Sequence, residues 1–196
     1  MPLTSFPVHF CDWVDYRSTD GQPAEDFKTA GNHKMANNDI LRRIRYIFDL
    51  SDSKMMAIFA LAGLSVTRSE ISEWLKKEDD PAFQECRDTH LAIFLNGLIL
   101  DKRGEKEGPR PDPEHHLTNN IIFRKLRIAL DLKSEDIIEI IGLTDMSISA
   151  HELSAFFRKP GNRHYRACKD QILRNFLKGL QLKYRPETDE NPWGLE

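Results

Sequence analysis

Two matching sets of polar residues have types and spacing suited to binding anions or to forming ion-pair networks. Each set holds one asparagine, two arginines and one aspartate at i, i+4, i+7 and i+11, which places them on one stripe of a helix. The sets are Asn38, Arg42, Arg45 and Asp49, and, 82 residues later, Asn120, Arg124, Arg127 and Asp131. Three interpretations are open. The stripes form local ion pairs (Arg45–Asp49 and Arg127–Asp131), or an Arg–Asp network where the two sets meet, or an anion site of four arginines.

A second signal is positive charge in the second half of the chain. Residues 119–185 hold 13 basic and 7 acidic residues, a net charge of +6, whereas residues 37–103 hold 10 and 11, a net charge of −1. Such a surface can hold a phosphate backbone without reading its sequence. It can equally be a solvated face, or a dock for the acidic residues 187–190. The candidate nucleic-acid patch comprises Arg158, Lys159, Arg163, Arg166, Lys169, Arg174 and Lys178.

Sequence patterns of catalysis and metal binding are missing. The chain has no HExxH or CxxC pattern and no glycine-rich phosphate loop, and its seven histidines are not shared between the two halves. Cys86 and Cys168 occupy equivalent positions, but no equivalent histidine stands beside them. Small buried thiols are therefore favoured over reactive thiols or a disulfide. We expect no enzymatic activity, no metal and no cofactor.

The elements that must position these residues are duplicated. Residues 37–103 return without a gap as residues 119–185, and 22 of the 67 aligned positions are identical. Apolar residues recur at helical spacing and predict four helices in each repeat, the first two at about 38–49 and 52–62. No segment alternates with period 2. We predict an all-α fold of two tandem four-helix repeats that pack around a pseudo-two-fold axis.

Local signals predict where helices begin and how closely they pack. Capping boxes at Thr67-x-x-Glu70 and Ser149-x-x-Glu152 start the third helix of each repeat. Ser134, Asp88 and Asp170 are expected N-caps. A mid-helix glycine costs about 1 kcal/mol, so the pair Gly97 and Gly179 indicates that another helix backbone passes close by.

A helix-turn-helix reading of the second repeat is weaker than that of an ordinary three-helix core. The segments 136–141 and 149–159 would be its two helices. The turn between them is longer than the three or four residues usual for that motif.

The remaining segments differ from the repeats in composition. Residues 1–34 match neither repeat and are predicted to be a largely disordered extension, before repeats at 35–103 and 119–185. Residues 104–118 hold three prolines and two glycines and predict a semi-stiff linker, and residues 186–196 form an acidic tail. No apolar run approaches the roughly 20 residues of a membrane helix, and no signal-peptide pattern is present. We expect a cytoplasmic protein, monomeric or homodimeric.

Three segments carry a family resemblance. MANNDILRRIRYIFDL, FLNGLILDKRG and NNIIFRKLRIALDLK together resemble the YehS-like bacterial family of uncharacterised proteins, a duplicated domain of unknown function. The resemblance covers about 35–185 and implies a cytosolic bacterial protein of two tandem helical domains. It implies no activity, ligand or catalytic residue. Residues 1–34 depart from it, since members usually begin close to Met35.

Together these observations favour a non-enzymatic helical repeat protein that binds nucleic acid through its basic second repeat. A protein-interaction or scaffold module is one alternative. A protein that binds a small anionic ligand between the repeats is another.

Overall fold

The computed structural model describes residues 35–105, 108 and 112–186, and these form eight helices and no strand. The helices are α1 (Asn37–Ile47), α2 (Asp52–Leu61), α3 (Arg68–Leu75), α4 (Asp88–Arg103), α5 (Asn119–Ala129), α6 (Ser134–Gly142), α7 (Ala150–Phe156) and α8 (Asp170–Tyr184). Each helix of the second repeat begins 82 residues after its counterpart, so the predicted all-α tandem repeat is confirmed. The predicted extension and the tail from residue 187 lie outside the described residues.

The second and fourth helices of each repeat pack with their backbones in contact. A Cβ atom on Gly97 of α4 would stand 1.9 Å from the carbonyl oxygen of Ile58 in α2. A Cβ atom on Gly179 of α8 would stand 2.0 Å from the carbonyl oxygen of Ile140 in α6. No side chain fits at such distances, and the close approach predicted from the two glycines is confirmed.

The two repeat cores hold a large ring in different places. In the first repeat Phe59 of α2 packs against Phe94 of α4, with ring centroids 5.2 Å apart. In the second repeat the position of Phe59 is taken by Ile141, and the ring comes instead from Phe123 of α5, 4.4 Å from Phe176 of α8. An aromatic ring has moved from one wall of the core to another, which keeps the core filled while its sequence changes.

The repeats meet at two equivalent places, the α4–α5 junction and the α8–α1 junction. Arg103 after α4 pairs with Asp131 after α5 at 2.5 Å, and Arg185 after α8 pairs with Asp49 after α1 at 3.5 Å. A shift of 82 residues converts one ion pair into the other. The two repeats are therefore related by an approximate two-fold axis.

The helices of the α4–α5 junction run in the same direction. Their C-terminal ends share the ion pair above, and near their N-terminal ends the amide of Leu117 donates to Asp88 Oδ2 at 2.8 Å. A 16-residue α4 is about 24 Å long, so the linker must return along that length before α5 begins. Leu117, at its end, is completely buried.

The prediction that Asp88 and Asp170 are N-caps is wrong. Both are the first residues inside their helices. Their carboxylates instead accept hydrogen bonds from asparagines at the start of α1 and α5, Asn37 Nδ2 at 2.7 Å and Asn119 Nδ2 at 2.5 Å. Each aspartate therefore ties the fourth helix of its repeat to the first.

The other caps divide in the same way into confirmed and wrong predictions. Both capping boxes form, with Thr67 and Ser149 as the N-caps of α3 and α7. Ser134 is not an N-cap but the first residue of α6. The amide of the preceding residue, Lys133, donates to the Asp136 carboxylate at 2.7 Å, so the aspartate side chain caps the helix.

Candidate functional site

Asn38 and Asn120, the first residues of the two stripes, are buried centres of hydrogen bonding. Asn38 Nδ2 donates to the carbonyl oxygens of Trp74 and Gln84, both at 2.8 Å, and its Oδ1 accepts from the amide of Cys86 at 3.0 Å. Asn120 makes the three equivalent bonds in the second repeat. Each asparagine ties α1 or α5 to both ends of the loop before the fourth helix. Neither has an exposed amide to offer to a ligand.

The four stripe arginines also hold the backbone of their own repeats. Each donates to a main-chain carbonyl oxygen outside its helix. The bonds are Arg42 to Lys76 at 2.5 Å, Arg124 to Phe157 at 2.8 Å, Arg45 to Leu50 at 3.1 Å and Arg127 to Leu132 at 3.1 Å. The stripe is thus mainly an internal framework, repeated with nearly the same geometry in both copies.

The stripe aspartates have left the helix. Asp49 and Asp131 follow the ends of α1 and α5 in the left-handed region, with φ of 49° and 53°. The expected pairs Arg45–Asp49 and Arg127–Asp131 do not occur among the described residues, because the backbone has turned away from helical spacing. Arg45 pairs instead with Asp52 at 2.8 Å. The two aspartates form the inter-repeat pairs described above, with arginines that lie outside the stripe.

Part of the first stripe lines an open cleft of about 490 Å³ between α1 and the end of α8. The lining residues include Arg42, Arg45, Tyr46, Asp49 and Arg185. The guanidinium of Arg185 lies over the Tyr46 ring, 4.4 Å from its centroid. Arg42 pairs with Asp39, Arg45 with Asp52 and Arg185 with Asp49. Since a carboxylate faces each guanidinium, the cleft is less positive than its arginines suggest.

The candidate nucleic-acid patch lies mostly at the surface. Five of its seven side chains are exposed, and Arg158 and Arg174 are half-buried. None of the seven forms an ion pair within the part of the chain that the structure describes. Five lie in the α7–α8 loop, residues 157–169, and Arg174 and Lys178 lie one turn apart on α8.

The α7–α8 loop is fixed by the repeat framework. The amide of Arg166 donates to the carbonyl oxygen of Ala155 at 3.2 Å, and the Arg166 carbonyl accepts from Asn120 at 2.8 Å. The backbone of Arg166 is therefore held while its side chain is exposed. Asn120, which appeared in the sequence as a possible ligand residue, instead positions part of the basic patch.

The helix-turn-helix reading does not fit this arrangement. α7 has only seven residues, Ala150–Phe156, and seven residues separate it from α6. The exposed face of α7 includes Glu152, which repels phosphate. The basic residues follow the helix instead of lying on it, so α7 does not present them to a DNA groove as a recognition helix does.

Two buried cations were missed by the sequence analysis. Lys125 is 4% exposed in the α4–α5 junction and its equivalent Arg43 is 9% exposed in the α8–α1 junction. A signal was present, because Arg43 stands three residues after Ile40 and four before Ile47, on the inward face of α1. A basic residue in that position was read as polar surface.

The surroundings of Lys125 explain how its charge is tolerated. Its ammonium lies 2.9 Å from Glu114 Oε2, a linker carboxylate, and donates to Asn96 Oδ1 of α4. Burial lowers the pKa of Lys125, and the Glu114 carboxylate acts in the opposite direction. The linker thus supplies the counter-charge of this junction.

The matched cysteines are buried, free thiols. Burial, with a smaller contribution from Asp88 and Asp170, raises the pKa of Cys86 and Cys168 to about 12. A thiol with so high a pKa is a poor nucleophile at neutral pH. Among the described residues, no cluster of histidine, cysteine and carboxylate side chains could hold a metal ion. No helix in those residues is long and apolar enough to cross a membrane.

Comparisons with known proteins agree on the duplicated unit. The model of one family, described as "Protein of unknown function (DUF1456)", matches residues 37–104 and again 119–185. The chain is 44% identical over 150 residues to "Uncharacterized protein YehS" of Escherichia coli (strain K12), an alignment that covers 76% of this chain and 96% of that protein. No solved structure matches the chain. The chain therefore belongs to the DUF1456 family of proteins of unknown function and carries two tandem copies of that family's unit.

Proposed function

We propose that the protein binds nucleic acid through its second repeat, by contacts to the phosphate backbone. The observation that carries the proposal is the α7–α8 loop, which holds five basic residues and no acidic residue. None of these five side chains is neutralised by an ion pair within the described part of the chain. A fixed loop with uncompensated charge attracts phosphate through release of condensed counterions.

The equivalent loop of the first repeat lacks this property. Residues 75–87 hold three basic and four acidic residues. Lys76, the equivalent of Arg158, is paired with Asp80 at 2.8 Å. Both loops are held by the same asparagine hydrogen bonds, so the backbone is shared and the charge is not. The positive potential is thus a property of the second repeat, not a by-product of the fold.

The arrangement supports binding without strong sequence preference. The basic residues occupy a loop and one helix face, and none projects from a helix that could enter the major groove. His164, exposed between Arg163 and Arg166, offers a ring on which an unpaired base can stack. Single-stranded RNA or DNA is therefore the form best suited to this surface.

The proposal is tested by fluorescence anisotropy with labelled single-stranded RNA, single-stranded DNA and duplex DNA at 50 and 200 mM salt. We expect binding that weakens steeply with salt. The triple variant Lys159→Glu, Arg163→Glu, Arg166→Glu should lose about tenfold or more in affinity and about two to three units of salt slope. Lys77→Glu is the matched control, since Lys77 is the exposed first-repeat equivalent of Lys159. Salt-insensitive binding, or a triple variant that binds like the control, would overturn the proposal.

A small anionic ligand is a second candidate, favoured by the cleft that Arg42, Arg45 and Arg185 line. A phosphorylated ligand there would have to compete with the aspartates that already face these arginines. Inorganic pyrophosphate should then raise the melting temperature of the wild type, and Arg45→Gln should abolish the effect. Arg127→Gln, the second-repeat counterpart, should leave it unchanged. Equal effects in both variants would exclude the cleft.

A further inference from the structure

The two junctions between the repeats hold the same helices and opposite charge balances. At the α4–α5 junction the buried cation is Lys125, and the side chains of Glu114 and Asn96 contact its ammonium. The linker carboxylate stands where an external anion would otherwise be needed. This junction therefore shows how the fold seats an anion between its fourth helix and the first helix of the other repeat.

The α8–α1 junction keeps the cation and adds two more. Arg43 is the equivalent of Lys125, Lys178 that of Asn96, and Arg174 that of Ala92. Arg43 is buried, Arg174 is half-buried and Lys178 is exposed, so the three form a set that rises from the interior to the surface. The α4–α5 junction has one positive and one negative charge at these places, whereas the α8–α1 junction has three positive charges.

Electrostatic coupling shows that these charges act on one another. Burial lowers the pKa of Arg43, and the positive charges of Arg174 and Arg42 add to that effect, while Asp39 opposes it. Asp39 itself pairs with Arg42. The acid nearest to the set is thus shared with a fourth arginine.

The chain does not supply the missing carboxylate by symmetry. Under the 82-residue offset the position of Glu114 corresponds to Asn32, and residues 30–34 read Ala-Gly-Asn-His-Lys, with no acid. A duplication that kept the seat but not its acid leaves room for an anion from outside. The guanidinium groups of Arg43 and Arg174 are suited to phosphate oxygens, which they bind by paired hydrogen bonds.

We propose that the α8–α1 junction is a phosphate-binding site in which Arg43, Arg174 and Lys178 take the place that Lys125, Glu114 and Asn96 fill at the other junction. The phosphate is either inorganic phosphate or a phosphate of a nucleic-acid backbone. The site does not depend on the proposed function, because the α7–α8 loop supplies none of its three residues. In the second case it extends that function from the loop to the groove between the repeats.

The test substitutes the first-repeat residues into the second repeat. Isothermal titration of the full chain with sodium phosphate, at ionic strength held constant with chloride, should give a saturable Kd for the wild type. The double variant Arg174→Ala, Lys178→Asn should lose at least tenfold in phosphate affinity. It removes like charges from the junction, so it should unfold at the same or a higher denaturant concentration. Lys183→Ala, on another face of α8, is the control and should bind as the wild type does.

Competition distinguishes the two sources of phosphate. If a single-stranded oligonucleotide displaces inorganic phosphate, the site holds the nucleic-acid backbone. If the oligonucleotide leaves phosphate binding unchanged, the site holds the free ion. The loop variant Lys159→Glu, Arg163→Glu, Arg166→Glu should retain phosphate binding even where it loses nucleic acid, which separates failure of the proposed function from failure of this site. A phosphate titration indistinguishable from chloride, or a double variant with unchanged affinity, would overturn the inference.

Discussion

The α4–α5 and α8–α1 junctions begin and end alike but differ in the middle. Both close with an arginine–aspartate pair, Arg103–Asp131 in one and Arg185–Asp49 in the other. Between the ends, one junction buries a cation against the linker carboxylate of Glu114, and the other buries a cation beside two further cations. A buried charge is expensive unless it is paired. The difference indicates that the first junction became internal structure, while the second is left suited to an anion from outside.

The largest effect is expected where the two repeats do not differ at all. Gly97→Ala and Gly179→Ala would each place a Cβ atom about 2 Å from a carbonyl oxygen of the facing helix. Since backbone cannot yield as a side chain does, each variant should lose about 3 kcal/mol or more of unfolding free energy, at the upper end of overpacking costs. Denaturant unfolding measures this loss. Gly142→Ala, with open space at its Cβ position, is the control and should be neutral or slightly stabilising.

A milder result for one glycine than for the other would sharpen the comparison. It would show that the α2–α4 and α6–α8 contacts are not equivalent in solution. A neutral Gly97→Ala would contradict the backbone contact itself.

The next effect separates framework from function within one equivalent pair. Asn38→Ala and Asn120→Ala each leave a buried amide and two carbonyl oxygens without the side chain that satisfies them, and each should cost about 2–4 kcal/mol. Only Asn120 holds the carbonyl of Arg166, inside the basic loop. Asn120→Ala should therefore also weaken nucleic-acid binding, measured by anisotropy at a temperature where both variants remain folded. Equal binding by the two variants would show that the loop does not need this anchor.

The sequence predicts the repeat architecture well because an ungapped duplication constrains it twice. Helix order, the two capping boxes and the tight glycine contacts all follow from local pattern. The roles of the stripe residues do not follow. Arg45 and Asp49 are four residues apart in sequence, yet the left-handed backbone at Asp49 separates them. Whether a stripe faces a loop, a cleft or another repeat depends on the turn after the helix.

Lys125 shows the same limit from the other side. Its partner Glu114 lies in a linker that the sequence marks only as proline-rich. Periodicity places Lys125 near the inward face of α5, but it cannot show that a returning linker brings a carboxylate to it. The charge asymmetry of the second repeat was visible in the sequence. Its uncompensated state at the α8–α1 junction required the paired view of both junctions.

A smaller effect tests the charge balance of the two junctions directly. Glu114→Gln removes the counter-charge of buried Lys125 and should destabilise the protein by about 1–2 kcal/mol, less than a fully buried pair because Glu114 is partly exposed. Lys178→Glu places a carboxylate beside Arg174 and Arg43 and should stabilise by about 0.5–1 kcal/mol. Unfolding midpoints at low and high salt measure both changes, and the gain from Lys178→Glu should shrink with salt. A destabilising Lys178→Glu would show that an acid already neutralises this junction.

The smallest difference between the repeats is expected at their cysteines. Burial raises the pKa of Cys86 and of Cys168 to about 12, so neither thiol should react with a disulfide reagent at pH 8 while the chain is folded. Because the folded pKa lies above the ordinary thiol value of 9.0, the stability that each buried thiol contributes is complete below pH 9 and is lost as pH rises towards 12. In a Cys11→Ser background, Cys86→Ala and Cys168→Ala leave one reporter in each repeat. If the junctions join the repeats into one cooperative body, both reporters should become reactive at the same denaturant concentration. Earlier labelling of Cys168 would mean that excess positive charge at the α8–α1 junction lets the second repeat open first, and phosphate should then delay it.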